Sequence, residues 1–376
     1  MNNDFLNIFV YNWWRSIDRK IFLTVILILL IGCLISFIAT PSIALKYNLE
    51  SYYFVKRHLI FVPFSFFFIF FISLFSKLGI KRFFLFLFFI SIILIFISFF
   101  QGIEYKGSIR WVNIFGYTLQ PSEFLKISFI IICAWVLSLK KNFYNLDKNF
   151  FSFLIYLFVS GLILNQPDFS MFIIISAVYF SQLFISGIKW KWVIIVITFF
   201  STVIFFSYQL IDNVKRRIDN FIYNTGDNYQ IDKSIQAIEE GGLFGKGAEL
   251  GTVKDYIPDS HTDFIFSVIA EEFGILGCFI IIIIFSYLIF FTYKRIKNEK
   301  NIFIILSISG LIIQFSSQII INIASTIGLI PTTGVTLPFI SYGGSSMFAM
   351  SLNIGVILAL TRVSYKDILM SNEKRT

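Results

Sequence analysis

Three carboxylates mark one stretch of this chain. Residues 241–274 read GGLFGKGAELGTVKDYIPDSHTDFIFSVIAEEFG. Asp263 stands where a long polar stretch re-enters an apolar run, and Glu271 and Glu272 lie inside that run. Acids at or below a membrane surface are expensive and need a reason. Two reasons compete for Asp263. Ser260-x-x-Asp263 ahead of an apolar run fits a capping box, with the acid at a helix N-terminus. A half-buried carboxylate tuned upward by desolvation is instead a general base at the mouth of a cavity. A cap held by backbone amides has a lowered pKa, so the two roles agree only in part. Glu271 and Glu272 fall about two turns into the run, roughly 12 Å along a helix. On a continuous helix Glu271 points about 80° away from Asp263 and Glu272 points to the opposite side. Separate partners and a structural role are expected for these two.

Other polar groups recur at depth. Gln314, Gln318 and Asn322 fall at i, i+4 and i+8, one stripe of a helix. In lipid such a stripe faces other helices or a wet cavity, and interhelical hydrogen bonding is the simpler account. In residues 334–346, Pro338 and Gly343-Gly344 interrupt an otherwise spanning helix. Broken backbone is tolerated there only against protein or water. Its amides and the hydroxyls of Ser341, Ser345 and Ser346 suit a phosphate or a sugar, although a simple kink would use the same residues. In residues 101–126, Ser122 can cap a helix after Pro121, and Glu123 and Lys126 sit three apart, as an ion pair would. Arg110 and Lys126, with Lys56 and Arg57, could otherwise receive a pyrophosphate.

The elements that position these groups are helices in a membrane. The chain has 376 residues, 57% hydrophobic and 14% charged, with 50 phenylalanines. A soluble domain of this size cannot hide so much apolar surface. Runs near twenty residues match the roughly 30 Å hydrocarbon core, whereas a barrel would alternate over about ten. Ten spans are expected, near residues 21–40, 58–75, 83–100, 121–139, 149–165, 169–187, 191–210, 264–293, 302–330 and 339–361. They form one all-α domain over 1–376, with a large loop at 211–263 and a tail at 362–376. Within the loop, Ile231, Ile235 and Ile238 carry helical spacing, so residues 229–238 form an amphipathic helix that Gly241-Gly242 ends. Of the 31 Lys and Arg residues, 19 fall on the even-side loops, which include both termini. By the positive-inside rule both termini are cytoplasmic, and 101–120, 211–263 and 331–338 face outward. That bias, not nucleic-acid binding, explains much of the net charge of +9. Cys33, Cys133 and Cys278 make no CxxC pair, and His58 and His261 are isolated, so no disulfide framework or metal cluster is indicated.

Arg110-Trp111, Gln120-Pro121-Ser122-Glu123, Gln166-Pro167-Asp168, Gly241-Gly242, His261-Thr262-Asp263-Phe264, Glu271-Glu272 and Pro338 with Ser341-Tyr342-Gly343-Gly344-Ser345-Ser346 occur in this order. Together they resemble the SEDS proteins, the FtsW/RodA family of peptidoglycan glycosyltransferases, over residues 50–362, and the division branch more than the elongation branch. The resemblance implies a ten-span enzyme of the cytoplasmic (inner) membrane with an outward-facing site. It would move a glycan chain from undecaprenyl pyrophosphate to the 4-hydroxyl of an incoming lipid II, with inversion. A class B penicillin-binding protein and other divisome or elongasome membrane proteins are the implied partners. Asp263 takes the place of the family's catalytic aspartate, which raises the general base above the cap. Arg57, Arg110 and Lys126 are then candidates for stabilising the leaving group, a charge that a divalent cation (magnesium or manganese) could share, although no dedicated ligand set is evident. Gln120, Ser122, Glu123, His261, Thr262, Ser341, Gly343, Gly344, Ser345 and Ser346 are candidates for binding substrate, and Asp168, Glu271, Glu272 and Asn322 for support. His58, Ser170 and Glu239-Glu240 depart from the family pattern. A lipid II flippase would use similar buried polar groups, and a division scaffold would need none of them.

Overall fold

The computed structural model describes residues 3–101, 104–105, 108–114, 116–139, 147–210, 212–223 and 229–362. The expected tail beyond Arg362 and parts of the loops at 101–120, 140–148 and 211–263 lie outside the described residues. A surface helix α1 (Asn3–Ser16) leads into α2 (Arg19–Ala39), the short α3 (Pro41–Lys46), α4 (Tyr53–Ser73) and α5 (Lys77–Gln101). Two small antiparallel ribbons follow, β1 (Glu104–Tyr105) with β2 (Ser108–Ile109), and β3 (Val112–Ile114) with β4 (Tyr117–Leu119). Then come α6 (Pro121–Leu137), α7 (Lys148–Asn165), α8 (Phe169–Ile185), α9 (Trp190–Leu210), α10 (Asp212–Tyr223) and α11 (Tyr229–Gly241). A 3₁₀ turn (Val253–Tyr256) precedes α12 (Ile265–Ile296), α13 (Ile302–Thr326) and α14 (Gly344–Leu360).

Each expected apolar run is a helix. Among the described residues seven helices are long and apolar enough to cross a membrane, while α6, α8 and α14 are 17 residues each. Seventeen residues rise about 25 Å, at the short end of a span. The expected boundaries move. Polar residues at the N-terminal end of α4 extend it back to Tyr53, and α5 begins at Lys77 rather than 83. The chain leaves α13 at Thr326 and re-enters helix only at Gly344, so 331–343 is an unwound segment, as Pro338 and the glycine pair suggest. The ribbons between α5 and α6 were unexpected, because strands of two or three residues show no period.

The even-side segments meet at one end of the bundle, as their shared basic character requires. Trp13 Nε1 donates to Ser73 Oγ at 2.8 Å, and Arg362 donates to Ser16 Oγ at 3.2 Å. Asp18 caps α2 through Lys20 N at 3.0 Å and pairs with Arg295 at the end of α12. At the core, α6 and α14 are buried along nearly their whole length, with α8 and α13 packed beside them.

One helix is interrupted. Gly274 has φ 68° and ψ −172°, dividing α12 into 265–273 and 275–296. The second part has 22 residues and covers about 33 Å, enough to cross the hydrocarbon alone. Glu271 and Glu272 therefore belong to the short first part, not to the part that is long enough to cross by itself. The break exposes backbone groups, and loop 241–247 satisfies them. Lys246 N and Gly247 N donate to Glu271 O and Glu272 O at 2.9 and 3.0 Å. Ile275 N and Leu276 N donate to Gly242 O and Leu243 O at 3.0 and 3.2 Å.

Candidate active site

Asp263 is not the cap of α12. The helix starts at Ile265 and its N-cap is Phe264. Instead the amides of Thr262, Asp263 and Phe264 converge on Asp259 O at 3.0, 3.1 and 3.4 Å, in a tight turn opened by Asp259 at φ 57°. That left-handed residue uses the amides a cap would take, so the capping box never forms. The turn is stapled from two sides. From α13, Asn322 Nδ2 donates to Asp263 O at 2.8 Å and to Val335 O at 2.7 Å. From the unwound segment, Ser341 Oγ accepts from Leu337 N at 2.8 Å and donates to Thr262 O at 2.5 Å. Tyr342 N donates to His261 O at 2.9 Å, and the His261 ring packs on Phe54 and Tyr342. The Asp263 carboxylate, half-buried, faces Gly334: a Cβ there would lie 3.8 Å from its Oδ2.

Beneath the turn runs a polar web. Lys126, 1% exposed, donates to Glu123 Oε2 at 2.8 Å, the expected i, i+3 pair, and to Gln318 Oε1 at 3.1 Å. Gln314 donates to Gln318 Oε1 at 2.9 Å, and Asn353 donates to Gln314 at 2.6 Å. Gln318 Nε2 donates to Thr336 O, Thr336 Oγ1 and Ser346 Oγ at 3.0, 3.3 and 3.3 Å. Ser345 Oγ accepts from Gln120 N at 3.0 Å. Ser122 does not cap α6. Gln120 is the N-cap residue, and its Nε2 donates to Ser122 Oγ at 3.2 Å. Gly343 and Gly344 open α14. The amide stripe is thus both helix glue and the underside of the site. Thr336 was missed, because its relevance depends on contacts from α13 and α14.

Arg110 lies in the link between the two ribbons. It donates to Gln166 O at 3.2 Å and to Pro167 O, and pairs with Asp168 at 3.4 Å. Asp168 in turn caps α8 through Met171 N at 3.1 Å. Ser170 donates to Thr333 O at 2.8 Å, tying this corner to the unwound segment. The guanidinium of Arg57 sits 4.7 Å from the Tyr53 ring centre, and Lys56 pairs with Glu50 at the surface.

The two glutamates converge rather than diverge. Glu271 accepts from Val253 N and Lys254 N at 2.8 and 2.7 Å, with Lys246 Nζ at 3.7 Å. Glu272 pairs with the buried Lys254. A Cβ on Gly251 would lie 2.8 Å from each carboxylate, so only glycine lets the loop pass between them. The angular argument failed because the loop wraps both faces of the short helix. The amphipathic α11 forms as expected and ends at Gly241, and its Ser234 donates to Thr326 O at 2.7 Å. Its apolar face packs on α12 and α13, roofing this region. Outside the membrane segments, Lys246 is held above the usual lysine range by its bond to Glu240.

The comparisons agree with this geometry. The family model described as cell cycle protein (FtsW, RodA, SpoVE) matches residues 18–366. A protein of Caulobacter vibrioides named probable peptidoglycan glycosyltransferase FtsW is 33% identical over 353 residues, covering 93% of this chain and 90% of its own. A protein of the same name from Buchnera aphidicola is 35% identical over 336 residues, covering 84% and 92%. A solved peptidoglycan synthase complex, described as coordinating polymerization and crosslinking, contains a chain with TM-score 0.76 at 21% identity, covering 93% of this chain and 98% of that one. The Thermus thermophilus rod shape determining protein RodA gives TM-score 0.68 at 22% identity, covering 93% and 97%. This multi-pass helical membrane protein belongs to the FtsW/RodA/SpoVE family of cell cycle proteins.

Proposed function

We propose that the chain is a peptidoglycan glycosyltransferase that polymerises lipid II for septal wall synthesis, with its site on the outer face of the cytoplasmic membrane. The observation that carries this is the half-buried Asp263, fixed by Asn322 and by the unwound segment and open toward Gly334. Relatives sharing a third of its residues along nearly the whole chain are named for this activity. Asp263 takes the proton from the 4-hydroxyl of the incoming lipid II. That oxygen bonds to C1 of the chain's terminal sugar as the bond from C1 to the undecaprenyl diphosphate breaks. The leaving diphosphate takes its stabilisation from Arg57, from Arg110, and from the hydroxyls and amides of 336–346. Lys126 is too buried for direct contact and acts through Gln318. Among the described residues no group of three His, Cys, Asp or Glu side chains could hold a metal ion, and we derive no step through one. A class B penicillin-binding protein is the partner that the synthase complex suggests.

The test is polymerisation of lipid II in detergent, where translocation has no meaning, by the protein purified with its partner transpeptidase. Glycan strands from the wild type and none from Asp263→Ala are expected. Equal polymer from Asp263→Ala overturns the site. No polymer under any condition, with translocation in vesicles, makes the protein a flippase.

A further inference from the structure

The polar web beneath Asp263 leaves one donor that the family motifs do not name. The Lys126 ammonium can only donate and the Thr336 carbonyl can only accept. The Gln318 amide between them therefore has one orientation, oxygen toward Lys126 at 3.1 Å and nitrogen toward Thr336 O at 3.0 Å. Its N–H groups also point at the Thr336 and Ser346 hydroxyl oxygens, both at 3.3 Å. Those two hydroxyls lie 2.8 Å apart and share one mutual bond. One hydroxyl hydrogen is left over. Among the described residues neither hydroxyl has another acceptor. Ser346 is buried and Thr336 is partly exposed, so the spare hydrogen belongs to Thr336. Thr336 lies two residues from Gly334, the position facing Asp263.

We propose that Thr336 Oγ1 donates a hydrogen bond to the diphosphate oxygen that gains charge as the glycosidic bond breaks, and that Gln318 is the positioning residue that aims it. The inference rests on the glycosyltransferase reading above. Its physical basis is the run of dipoles from Lys126 through Gln318 to Thr336. Each bond polarises the next in a low-dielectric interior, so the Lys126 ammonium, although paired with Glu123 at 2.8 Å, also polarises one reachable hydroxyl through Gln318. An anionic acceptor gains most from such a donor, and more as its charge grows.

The experiment compares wild type, Thr336→Val, Thr336→Ser, Gln318→Glu and Asp263→Ala, each purified with its partner transpeptidase. It measures lipid II polymerisation and inhibition by added undecaprenyl diphosphate. Thr336→Val keeps the shape and removes the donor, so kcat should fall about 10- to 100-fold. Inhibition by undecaprenyl diphosphate should weaken, with KM for lipid II little changed. Thr336→Ser should restore both. In Gln318→Glu the carboxylate draws the Thr336 hydrogen inward while keeping Lys126 paired, so it should match Thr336→Val. Unchanged kcat and inhibition in Thr336→Val overturn the proposal, as does a Thr336→Ser variant as impaired as Thr336→Val. If the wild type makes no polymer, the glycosyltransferase reading fails instead.

Discussion

Helices α9 and α13 look alike in sequence and behave as opposites. Both are apolar, long enough to span, and close in hydropathy. Yet 6% of the α9 segment is buried, against 56% of α13. The difference lies in the polar residues. In α13, Gln314, Gln318, Asn322 and Ser325 are all buried and bonded to neighbouring elements. In α9, Thr202 bonds back to its own helix at Thr198 O, 2.8 Å away, and Ile194, Ile197, Phe205 and Phe206 face outward. Since lipid is as apolar as leucine, hydrophobicity alone does not place a helix in a bundle; amides do, because they must find partners. Here the partners are the carbonyls beneath Asp263, so one stripe both packs α13 and builds the site.

Substitution of Asn322 probes that double role and carries the largest effect expected. Asn322→Leu leaves the carbonyls of Asp263 and Val335 without their donor, at about 1–3 kcal/mol for each buried group. It also frees the Asp263 turn, and a misplacement of about 1 Å is worth roughly 100-fold in rate. Lipid II polymerisation should fall by that order, more than the loss of folded protein in a detergent melt explains. If activity per folded molecule is unchanged, the α13 stripe is only glue.

Breaking the Glu272–Lys254 pair comes next. Glu272→Gln strands a buried ammonium at a cost of about 3–5 kcal/mol. Replacing both partners, Glu272→Leu with Lys254→Met, should recover much of that stability in thermal melts. Gly274→Ala should follow, at about 1–3 kcal/mol, because φ 68° with ψ −172° suits glycine alone and a Cβ would lie 2.4 Å from Leu243 O. The expected sign is a lower melting temperature with faster proteolysis of loop 241–256. Unchanged melting would mean that α12 runs straight.

These sites show where sequence reasoning stops. The ten apolar runs, the unwinding at Pro338, the end of α11 at Gly241 and the Glu123–Lys126 pair were legible, since each follows from period, proline, glycine or an i, i+3 spacing. The break at Gly274 was not, because a lone glycine in an apolar run is ordinary. It breaks the helix only because loop 241–247 arrives to satisfy the freed backbone. The partners of Glu271 and Glu272 were hidden for the same reason: Lys246 and Lys254 reach them by a fold-back, not along a helix face. Asp263 was legible as the acid at the point where the chain re-enters an apolar run, but its setting was not. The cap reading is locally sound, and Asp259 at φ 57° defeats it.

The smallest expected effect lies on α9. Phe205 is 60% exposed and points away from the bundle. Phe205→Leu trades one lipid-facing apolar side chain for another and leaves no cavity. Its cost should stay within about 0.5 kcal/mol, with polymerisation unchanged. The matched change in α13 is Phe315→Leu. Phe315 is 3% exposed and packs against Phe285 at 5.9 Å between ring centres, so a smaller side chain leaves a void between α12 and α13. A loss of about 1 kcal/mol or more is expected there. Equal melting shifts for the two variants would mean that α9 is held in the bundle as tightly as α13, and the contrast between the two helices would fail.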